Sequence, residues 1–364
     1  MNKMTLRTLP ALVALAFAGV AQASSFMVQE QDASGIATSF AGSAAVAENA
    51  ATNFYNPAGL TQLKGIQVSA GVTGLKTNAE YSVNGGNAGD TLAAPNLYLS
   101  VPLSKDLYLG FGVSRPFALS TEYTAGWAGD AIARKSELKT VNYNPSLAYR
   151  LNDKVSLGFG LNYQKLDLTL SNAAGSLSGD DSAMGWNAGA LFNLSPAMRV
   201  GVAYRSGLNY HLNGAFNGDL KLPGTFTLSV WQQVSDRWEA MGDLSFSQWN
   251  RLDQSTVAIS AADERNAWRF AWGAAYKYNP ALKAKFGFAY ERAATPRGDL
   301  NLRAPENDRL WLSLGGQWNA GTAGTFDLGY AYKLSRDIDT TQNGLNGKYE
   351  TSGHVLGLQY STGF

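Results

Sequence analysis

A period of two residues dominates this chain, with apolar side chains at every second position and small or polar side chains between them. In residues 155–163 (VSLGFGLNY) the odd positions are apolar, and residues 326–333 (FDLGYAYK) repeat the pattern with charges on the small-residue face. Such alternation indicates a β-strand with two different faces. We count about fourteen such segments, near residues 66–76, 95–103, 106–118, 137–150, 154–169, 183–194, 197–212, 221–234, 237–250, 264–278, 281–294, 307–319, 324–335 and 350–364.

The first residues predict export. Lys3 and Arg7 flank the start of an apolar run at 9–20, and a small-residue site, Ala-Gln-Ala, follows at 21–23. This order is typical of a secretory signal peptide over residues 1–23, and the apolar run is too short to cross a membrane as a helix. Cysteine is absent, which excludes disulfides and a cysteine nucleophile. Without Lys3 and Arg7, 27 basic residues balance 28 acidic ones, so nothing in the charge points to nucleic acid.

The composition separates this chain from a soluble β-protein. Charged residues make up 16% of the chain, aromatic residues make up 12%, and there are 39 glycines. Soluble domains carry about 25% charged residues. A strand that crosses a membrane in a closed barrel needs one lipid-facing and one lumen-facing side. The sequence therefore predicts an all-β membrane protein, a 14-stranded antiparallel transmembrane β-barrel in the bacterial outer membrane. A soluble β-sandwich is the alternative.

Short and long connections alternate between the predicted strands. The short ones lie at 104–106, 152–154, 195–197, 235–237, 279–281 and 319–324, and longer ones lie at 119–136, 170–182 and 295–306. Outer-membrane barrels have short periplasmic turns and longer external loops. We therefore assign the short connections to the periplasmic side.

Charged residues of the predicted strands fall on the face that also carries glycine and alanine. A charge facing lipid would cost roughly 2–4 kcal/mol at the midplane, whereas the lumen offers water or an opposite charge. Parity places eight of them inward: Arg199, Arg205, Arg269, Lys277, Lys285, Asp243, Asp327 and Lys333. We interpret them as ion-pair partners of the barrel interior, with carboxylate binding by one base as the alternative.

Residues 24–65 do not alternate and are rich in alanine, glycine and serine. Barrels wider than about eight strands do not fill their lumen with wall side chains alone. A compact small-residue segment suits that space, so we predict a hatch at 24–65 and a barrel at 66–364. A disordered periplasmic tail is the alternative, but the segment lacks the charge and proline that favour disorder.

Three stretches of the chain resemble one known family. The stretch SSFMVQEQDASGIATSFAGSAAVAENAATNFYNPAGL at 24–60 resembles the hatch of FadL-type outer-membrane transporters of long-chain fatty acids and hydrocarbons. The similarity continues at 117–164 and at 304–318, so it covers essentially the whole mature chain. The final Phe364 resembles the terminal aromatic assembly signal of outer-membrane barrels. This chain is short for the family, which predicts trimmed outer loops.

The resemblance implies a monomeric barrel plugged by a hatch, without an open aqueous pore. It implies a hydrophobic ligand, a fatty acid or similar, that is captured outside and held in an apolar pocket near the mature N-terminus. In the family, a kink in the third strand then opens a gap through which the ligand passes into outer-membrane lipid. By this resemblance Phe26 lines the pocket, and Ser24 and Ser25 match the two small residues before it.

The third predicted strand contains a local reason for such a gap. Pro116 has no N–H to donate to a ladder, and a closed wall tolerates proline only at a bulge or a break. We therefore predict a kink at Ser114, Arg115, Pro116, Phe117 and Ala118, whose freed backbone groups need partners inside the protein.

The turn Asn56-Pro57-Ala58-Gly59 is the predicted partner of the kink, because its proline marks an ordered turn. Pro145 is a second proline in a predicted wall strand, and the sequence offers no explanation for it.

Other functions are weaker candidates. The same family includes channels for aromatic or alkane hydrocarbons, which is the alternative substrate class. A general porin would require an open lumen, which the predicted hatch contradicts. A hydrolase would need a histidine with a nucleophile and a carboxylate. His211 has Ser206 and Asn209 nearby but no evident carboxylate partner in the sequence, and His354 falls on the lipid-facing side of the last strand. We predict no enzymatic activity, no cofactor and no metal.

Overall fold

The computed structural model describes residues 26–83, 86–257, 264–295, 302–305, 307–340 and 345–364. The predicted signal peptide, Ser24 and Ser25 lie outside these residues. In this part of the chain, no helix has the length and apolar character needed to cross a membrane.

Fourteen antiparallel strands form one closed wall in the described chain, as the sequence predicts. Their bounds are β1 (Gln67–Tyr81), β2 (Thr91–Pro102), β3 (Leu107–Ser114 and Ala118–Glu122), β4 (Lys135–Asn152), β5 (Val155–Asn172), β6 (Gly175–Ser195), β7 (Met198–Arg205), β8 (Thr225–Gln233), β9 (Trp238–Ser247), β10 (Ala267–Lys277), β11 (Leu282–Glu291), β12 (Arg309–Asn319), β13 (Thr325–Ser335) and β14 (Gly347–Gly363). Short strands lie at the strand ends: Gly86–Asn87, Ile338–Thr340 and a hairpin of Leu208–Leu212 with Gly218–Leu222.

The wall closes where the last strand meets the first. β14 pairs with β1 continuously, from Gly363 opposite Gln67 to Tyr349 opposite Tyr81. At the end of this ladder, Phe364 and Ile66 exchange backbone hydrogen bonds of 2.8 and 3.2 Å. A ladder of this length leaves no open edge at the seam, so the backbone groups of both strands are satisfied within the wall.

The two faces of the strands differ as the alternation predicts. In β5, Leu157, Phe159 and Leu161 are exposed on the outer face, whereas Ser156 and Asn162 are buried in the interior. The outward side chains suit lipid, and the inward polar ones contact the segment inside the barrel.

Three predicted segments are wrong. The predicted strand at 197–212 ends at Arg205, and Leu208–Leu212 pairs with Gly218–Leu222 in a separate small sheet. The predicted connection at 119–136 contains the second part of β3, which stays paired with β4 as far as Glu122. We expected a long external loop at 170–182, but β5 and β6 remain paired until Asn172 stands opposite Gly175. Where a hairpin extends beyond the membrane, its outer face is polar as well, so its composition resembles that of a loop. The ladder nevertheless persists there because Leu166, Leu168 and Leu170 are buried on its inner face.

The segment 26–66 lies inside the wall and is called the hatch segment below. It contains two short helices, α1 (Ala33–Ile36) and α2 (Thr52–Tyr55), followed by a 3₁₀ helix at Pro57–Gln62. Its small side chains allow the backbone to approach the wall closely: at Gly158, Gly189 and Gly201 an added Cβ would collide with hatch atoms. The segment is held by contacts with the wall rather than by an apolar core of its own.

Candidate ligand-binding site at the break in the third strand

The third wall strand is interrupted at Arg115, Pro116 and Phe117. Ser114 stands opposite Asn142 of β4, but Ala118 stands opposite Lys139. Three residues of β3 therefore face two residues of β4, which is the arrangement of a β-bulge. The extra residue changes which positions of β3 face the interior. Before the break the even-numbered residues Gly110, Gly112 and Ser114 point inward, and after it the odd-numbered Leu119 lies opposite the inward Leu138.

The break also ends the ladder between β2 and β3. These strands pair only from Pro102 opposite Tyr108 to Leu97 opposite Val113. Beyond that point, β3 continues as Ala118–Glu122 and stays paired with β4. The contacts that remain across this opening include Arg115 Nη1, which donates to Ala93 O at 2.8 Å. The wall is thus discontinuous on one side of β3 and intact on the other.

The beginning of the hatch segment supplies the partners of the broken strand. Val28 N donates to Pro116 O at 2.8 Å, and Ala118 N donates to Phe26 O at 2.9 Å. The side chain of Gln31 completes the pairing, since its amide donates to Arg115 O at 2.8 Å and accepts from Arg115 N at 3.0 Å. Residues near 26–31 therefore occupy the edge that β2 leaves open.

The turn at Asn56-Pro57-Ala58-Gly59 has a different position from the one we predicted. The Asn56 side chain accepts from Ala58 N at 3.1 Å and donates to Ala44 O at 2.7 Å and to Ala190 O of β6 at 3.0 Å. The prediction that this turn satisfies the freed backbone of the kink is wrong. Pro57 stiffens a turn that packs against β5 and β6, whereas residues nearer the N-terminus form the hydrogen bonds to the kink.

Phe26 lies in an aromatic cluster beside the break. Its side chain is 1% exposed, its ring meets Trp249 edge-on at 4.9 Å between centroids, and Phe117 lies 6.4 Å from both rings. Around this trio stand the apolar side chains Leu119, Leu138, Leu166, Leu168, Leu208, Leu252 and Val257. Sequence reasoning missed Trp249 as a site residue: the predicted strand at 237–250 contains it, but the observed strand ends at Ser247 and Trp249 begins a 3₁₀ helix.

The start of the hatch segment separates two cavities. The amide cavity, of about 790 Å³, is lined by Asn142, Asn162, Gln164, Asn187, Arg205, Met27, Phe117, Leu208 and further residues of β7 and β8. The gap cavity, of about 910 Å³, is lined by Phe26, Leu75, Leu92, Ala118, Leu119, Arg309, Lys333 and neighbours on β1, β2 and β14. Met27 and Val28 line both, so these two residues form the partition.

Most of the inward charged residues contact the hatch segment, and four of them, Lys277, Lys285, Asp327 and Lys333, form the ion pairs that we interpreted. Lys285 forms ion pairs with Glu48 and, at 3.5 Å, with Asp327, and Lys333 pairs with Glu30 at 2.5 Å. Other inward groups donate to or accept from the hatch backbone and hydroxyls. These contacts are Arg269 to Ser39 O, Arg205 to Phe54 O, and Asp243 to Ser43. Lys277 pairs with Glu239 of the wall, and Arg199 lies over the Trp231 ring.

The structure explains the second wall proline, which the sequence left open. Pro145 of β4 lies opposite Phe111 of β3 and has no N–H to offer to β5. The side chain of Asn144 donates instead to Leu161 O of β5 at 2.8 Å. A neighbouring amide therefore replaces the missing ladder bond, and the β4–β5 pairing continues in register on both sides.

The two histidines lie away from this region. His211 is exposed in the external hairpin, where its Nδ1 lies 2.8 Å from Asp219, a partner that the sequence did not reveal. This hydrogen bond raises the pKa of His211. His354 is exposed on β14 and contacts Tyr330 Oη at 2.8 Å. Within the described ranges, no group of three metal-ligating side chains occurs.

We expect Gly201→Ala to destabilise the barrel, because a Cβ at this β7 position would collide with the Ala44 carbonyl of the hatch. Overpacking of this kind typically costs about 1–3 kcal/mol. Gly242→Ala is the control, since its nearest atom would be 4.0 Å away. Urea unfolding in lipid vesicles should separate the two variants, and equal midpoints would argue against a tight hatch contact at Gly201.

The chain matches known proteins along nearly its whole length. A family model described as outer membrane protein transport protein (OMPP1/FadL/TodX) covers residues 14–364. The chain is 27% identical to the long-chain fatty acid transport protein of Escherichia coli O6:H1, over 94% of each chain. It is also 27% identical to outer membrane protein P1 of Haemophilus influenzae, over 91% of this chain and 90% of that one.

Solved structures share the fold. A FadL homologue of Pseudomonas aeruginosa superposes with a TM-score of 0.84 at 18% identity, over 93% of this chain and 100% of that one. The toluene transporter TodX of Pseudomonas putida superposes with a TM-score of 0.70 at 17% identity, over 94% of this chain and 100% of that one. The match of the family model over the barrel and the hatch segment decides the assignment: this chain belongs to the outer membrane protein transport family (OMPP1/FadL/TodX) and resides in the bacterial outer membrane.

Proposed function

We propose that this protein is a passive transporter of hydrophobic small molecules, long-chain fatty acids or similar. The ligand is captured outside, held beside Phe26, and released sideways through the opening between β2 and β3 into outer-membrane lipid. One observation carries the proposal: the open edge of β3 is hydrogen-bonded to residues 26–28, the same residues that divide the two cavities. Any shift of this segment therefore alters both the cavities and the edge.

The gap cavity supplies the route to the membrane. Leu92 of β2 and Ala118 and Leu119 of β3 line it, and these residues flank the point where the two strands part. Phe26 lines the same cavity from the hatch side. A ligand beside Phe26 thus lies next to the wall opening. Displacement of residues 26–28 from Pro116 and Ala118 would join the two cavities and clear the path.

No energy source is needed for capture. Transfer of apolar surface from water to an apolar pocket gains about 25 cal/mol per Å². The cluster of Phe26, Phe117 and Trp249 offers such a surface, and lipid outside the opening offers another. Movement from outer solution to pocket to bilayer is therefore downhill at each step for a sufficiently apolar ligand.

The names of the relatives support one of the two candidate substrate classes. Relatives from Escherichia coli, Salmonella and Shigella are named long-chain fatty acid transport proteins, which favours a fatty acid. Hydrocarbon uptake is the second candidate, because the fold neighbours include toluene transporters. The family description as a transport protein also supports the proposal that the chain catalyses no reaction. Buried hatch residues across the lumen argue against a general porin.

A wall without an unpaired seam needs no second copy for closure, and we propose a monomer.

Cells that lack their own fatty acid transporter and express this protein should import radiolabelled oleate. Import no faster than in cells without the protein would refute the fatty acid function. Import of toluene alone would establish the hydrocarbon alternative.

Phe26→Ala should weaken oleate binding about tenfold, since losing about 60 Å² of apolar contact at about 25 cal/mol per Å² costs about 1.5 kcal/mol. Oleate binding to the purified protein measures the effect. Phe111→Ala removes a phenylalanine from the lipid face of the same β3 region and should bind as the wild type does. Equal loss in both variants would contradict a pocket role for Phe26.

A further inference from the structure

The amide cavity contains an unusual charge distribution. Among the described residues that line it, Arg205 at the end of β7 is the one cation and none is acidic. We propose that this cavity is a head-group site, in which Arg205 binds the carboxylate of a single-chain acidic amphiphile and so selects acids over hydrocarbons. This inference rests on the proposed transport function and assigns the part of the interior that recognises the polar end of the ligand.

Arg205 is held inside the barrel by neutral groups. Its Nη1 donates to Asn162 Oδ1, its Nη2 donates to Phe54 O at 2.7 Å, and its Cζ lies 4.2 Å from the centre of the Phe54 ring. Within the described ranges, no carboxylate forms an ion pair with it. A guanidinium keeps its charge at any ordinary pH, and a charge in the interior is stabilised strongly by an opposite charge. The carboxylate of a ligand would supply one.

The other cavities lack this feature. The cavity around Lys285 also contains Asp32, Glu48 and Glu239, and that around Arg269 contains Glu291. In the gap cavity, Lys333 is already paired with Glu30 of the hatch, and Arg309 is paired with Glu291 at 3.4 Å. An anionic ligand in any of these sites would meet a protein carboxylate, whereas the amide cavity offers a cation without such competition.

Three buried asparagines orient the site. Asn142 donates to Asn162 Oδ1 at 3.1 Å, and Asn162 donates to Asn187 Oδ1 at 3.0 Å. Asn187 Oδ1 also accepts from Asn144 at 2.9 Å, while its buried Nδ2 has no hydrogen-bond partner in the described structure. The asparagine side chains are hydrogen-bonded to one another and to Arg205, and the Nδ2 group of Asn187 remains available as a donor. A carboxylate accepts several such bonds at once.

The remainder of the cavity suits an apolar chain. Met27, Pro116, Phe117 and Leu208 line it beside the polar residues, and Phe117 belongs to the aromatic cluster of Phe26. A ligand with its carboxylate at Arg205 therefore has its chain directed towards the break in β3.

The test compares oleate with oleyl alcohol, which has the same chain without the charge. At pH 8, purified wild-type protein should bind oleate at least tenfold more tightly than the alcohol. Arg205→Met should reduce this preference to less than twofold by weakening oleate binding alone, and Arg205→Lys should retain part of it. The control is Arg199→Met, because Arg199 also stacks on an aromatic ring but does not line the cavity.

Equal binding of oleate and oleyl alcohol by the wild type would overturn the head-group site without requiring any variant to fold. Unchanged preference in Arg205→Met, or an equal loss in Arg199→Met, would overturn the assignment to Arg205. If the wild type bound neither compound nor toluene, the proposed transport function itself would fail. The three failures are therefore distinguishable.

Discussion

Removal of Arg115 together with Pro116→Val should stop ligand uptake while the barrel still folds. The break contains one residue more than the facing stretch of β4, because Ser114 and Ala118 stand opposite Asn142 and Lys139. Deletion of one residue restores a regular register and keeps Ser114 and Leu119 on the inner face. Valine returns the missing N–H and favours a strand. The repaired β3 would then pair along β2 and seal the wall.

We expect uptake of radiolabelled oleate to fall to the level of cells without the protein. Heat-modifiable migration on gels should show that the variant assembles in the outer membrane. Pro116→Ala is the matched control, because it keeps the extra residue and therefore the bulge, and it should retain most of the uptake. Wild-type uptake by the repaired variant would rule out release through the β2–β3 opening.

Lys285→Met should release the hatch segment from the wall. Lys285 is buried and contacts Glu48, Asp327 and the Ser34 hydroxyl, which donates to Glu48 in turn. Without its cation, Asp327 remains as a buried negative charge, while Glu48 keeps the Ser34 hydroxyl and one cation, Lys283 at 3.3 Å. Breaking a buried ion pair by removal of one partner costs about 3–5 kcal/mol. The hatch should then leave its place in a measurable fraction of molecules.

Two measurements detect that release. Planar-bilayer recordings should show open events that the wild type lacks, and the midpoint of urea unfolding should fall. Lys348→Met provides the control, since Lys348 also contacts two acids, Asp337 and Glu350, but lies on the exposed surface. Exposed ion pairs contribute about 0–1 kcal/mol. If both variants behaved alike, the buried cluster would not be what retains the hatch.

The architecture was predictable from the sequence because it depends on local pattern. A strand in a membrane barrel must alternate, and each run of alternation can be read without knowledge of its neighbours. The strand number, the inward direction of Lys285 and Asp327, and the identity of the third strand all follow from parity and order along the chain. Three regions escaped this reasoning: the hairpin at 170–182, the separate hairpin of Leu208–Leu212 with Gly218–Leu222, and the continuation of β3 to Glu122. Outside the lipid a strand can be as polar as a loop.

The candidate site was only partly predictable. Phe26 and the kink at 114–118 could be named from the resemblance, and a proline in a wall strand has a direct physical meaning. The prediction of the kink's partners failed because the sequence does not show which part of the hatch lies beside β3. The turn at Asn56 and residues 26–31 were both possible partners. Trp249 and the compensation of Pro145 by Asn144 left no sequence signal.

The amino-acid sequence on its own determines a closed wall with two different faces. In lipid, the backbone groups of fourteen alternating strands find hydrogen-bond partners only when the strands pair into a closed barrel. Tertiary structure alone decided which groups meet inside that wall. Val28 and Pro116, Phe26 and Trp249, and Arg205 and Asn162 are far apart in the chain, and their contacts arise only once the hatch segment is enclosed. A buried charge can be recognised as unpaired only when every neighbour in space is known.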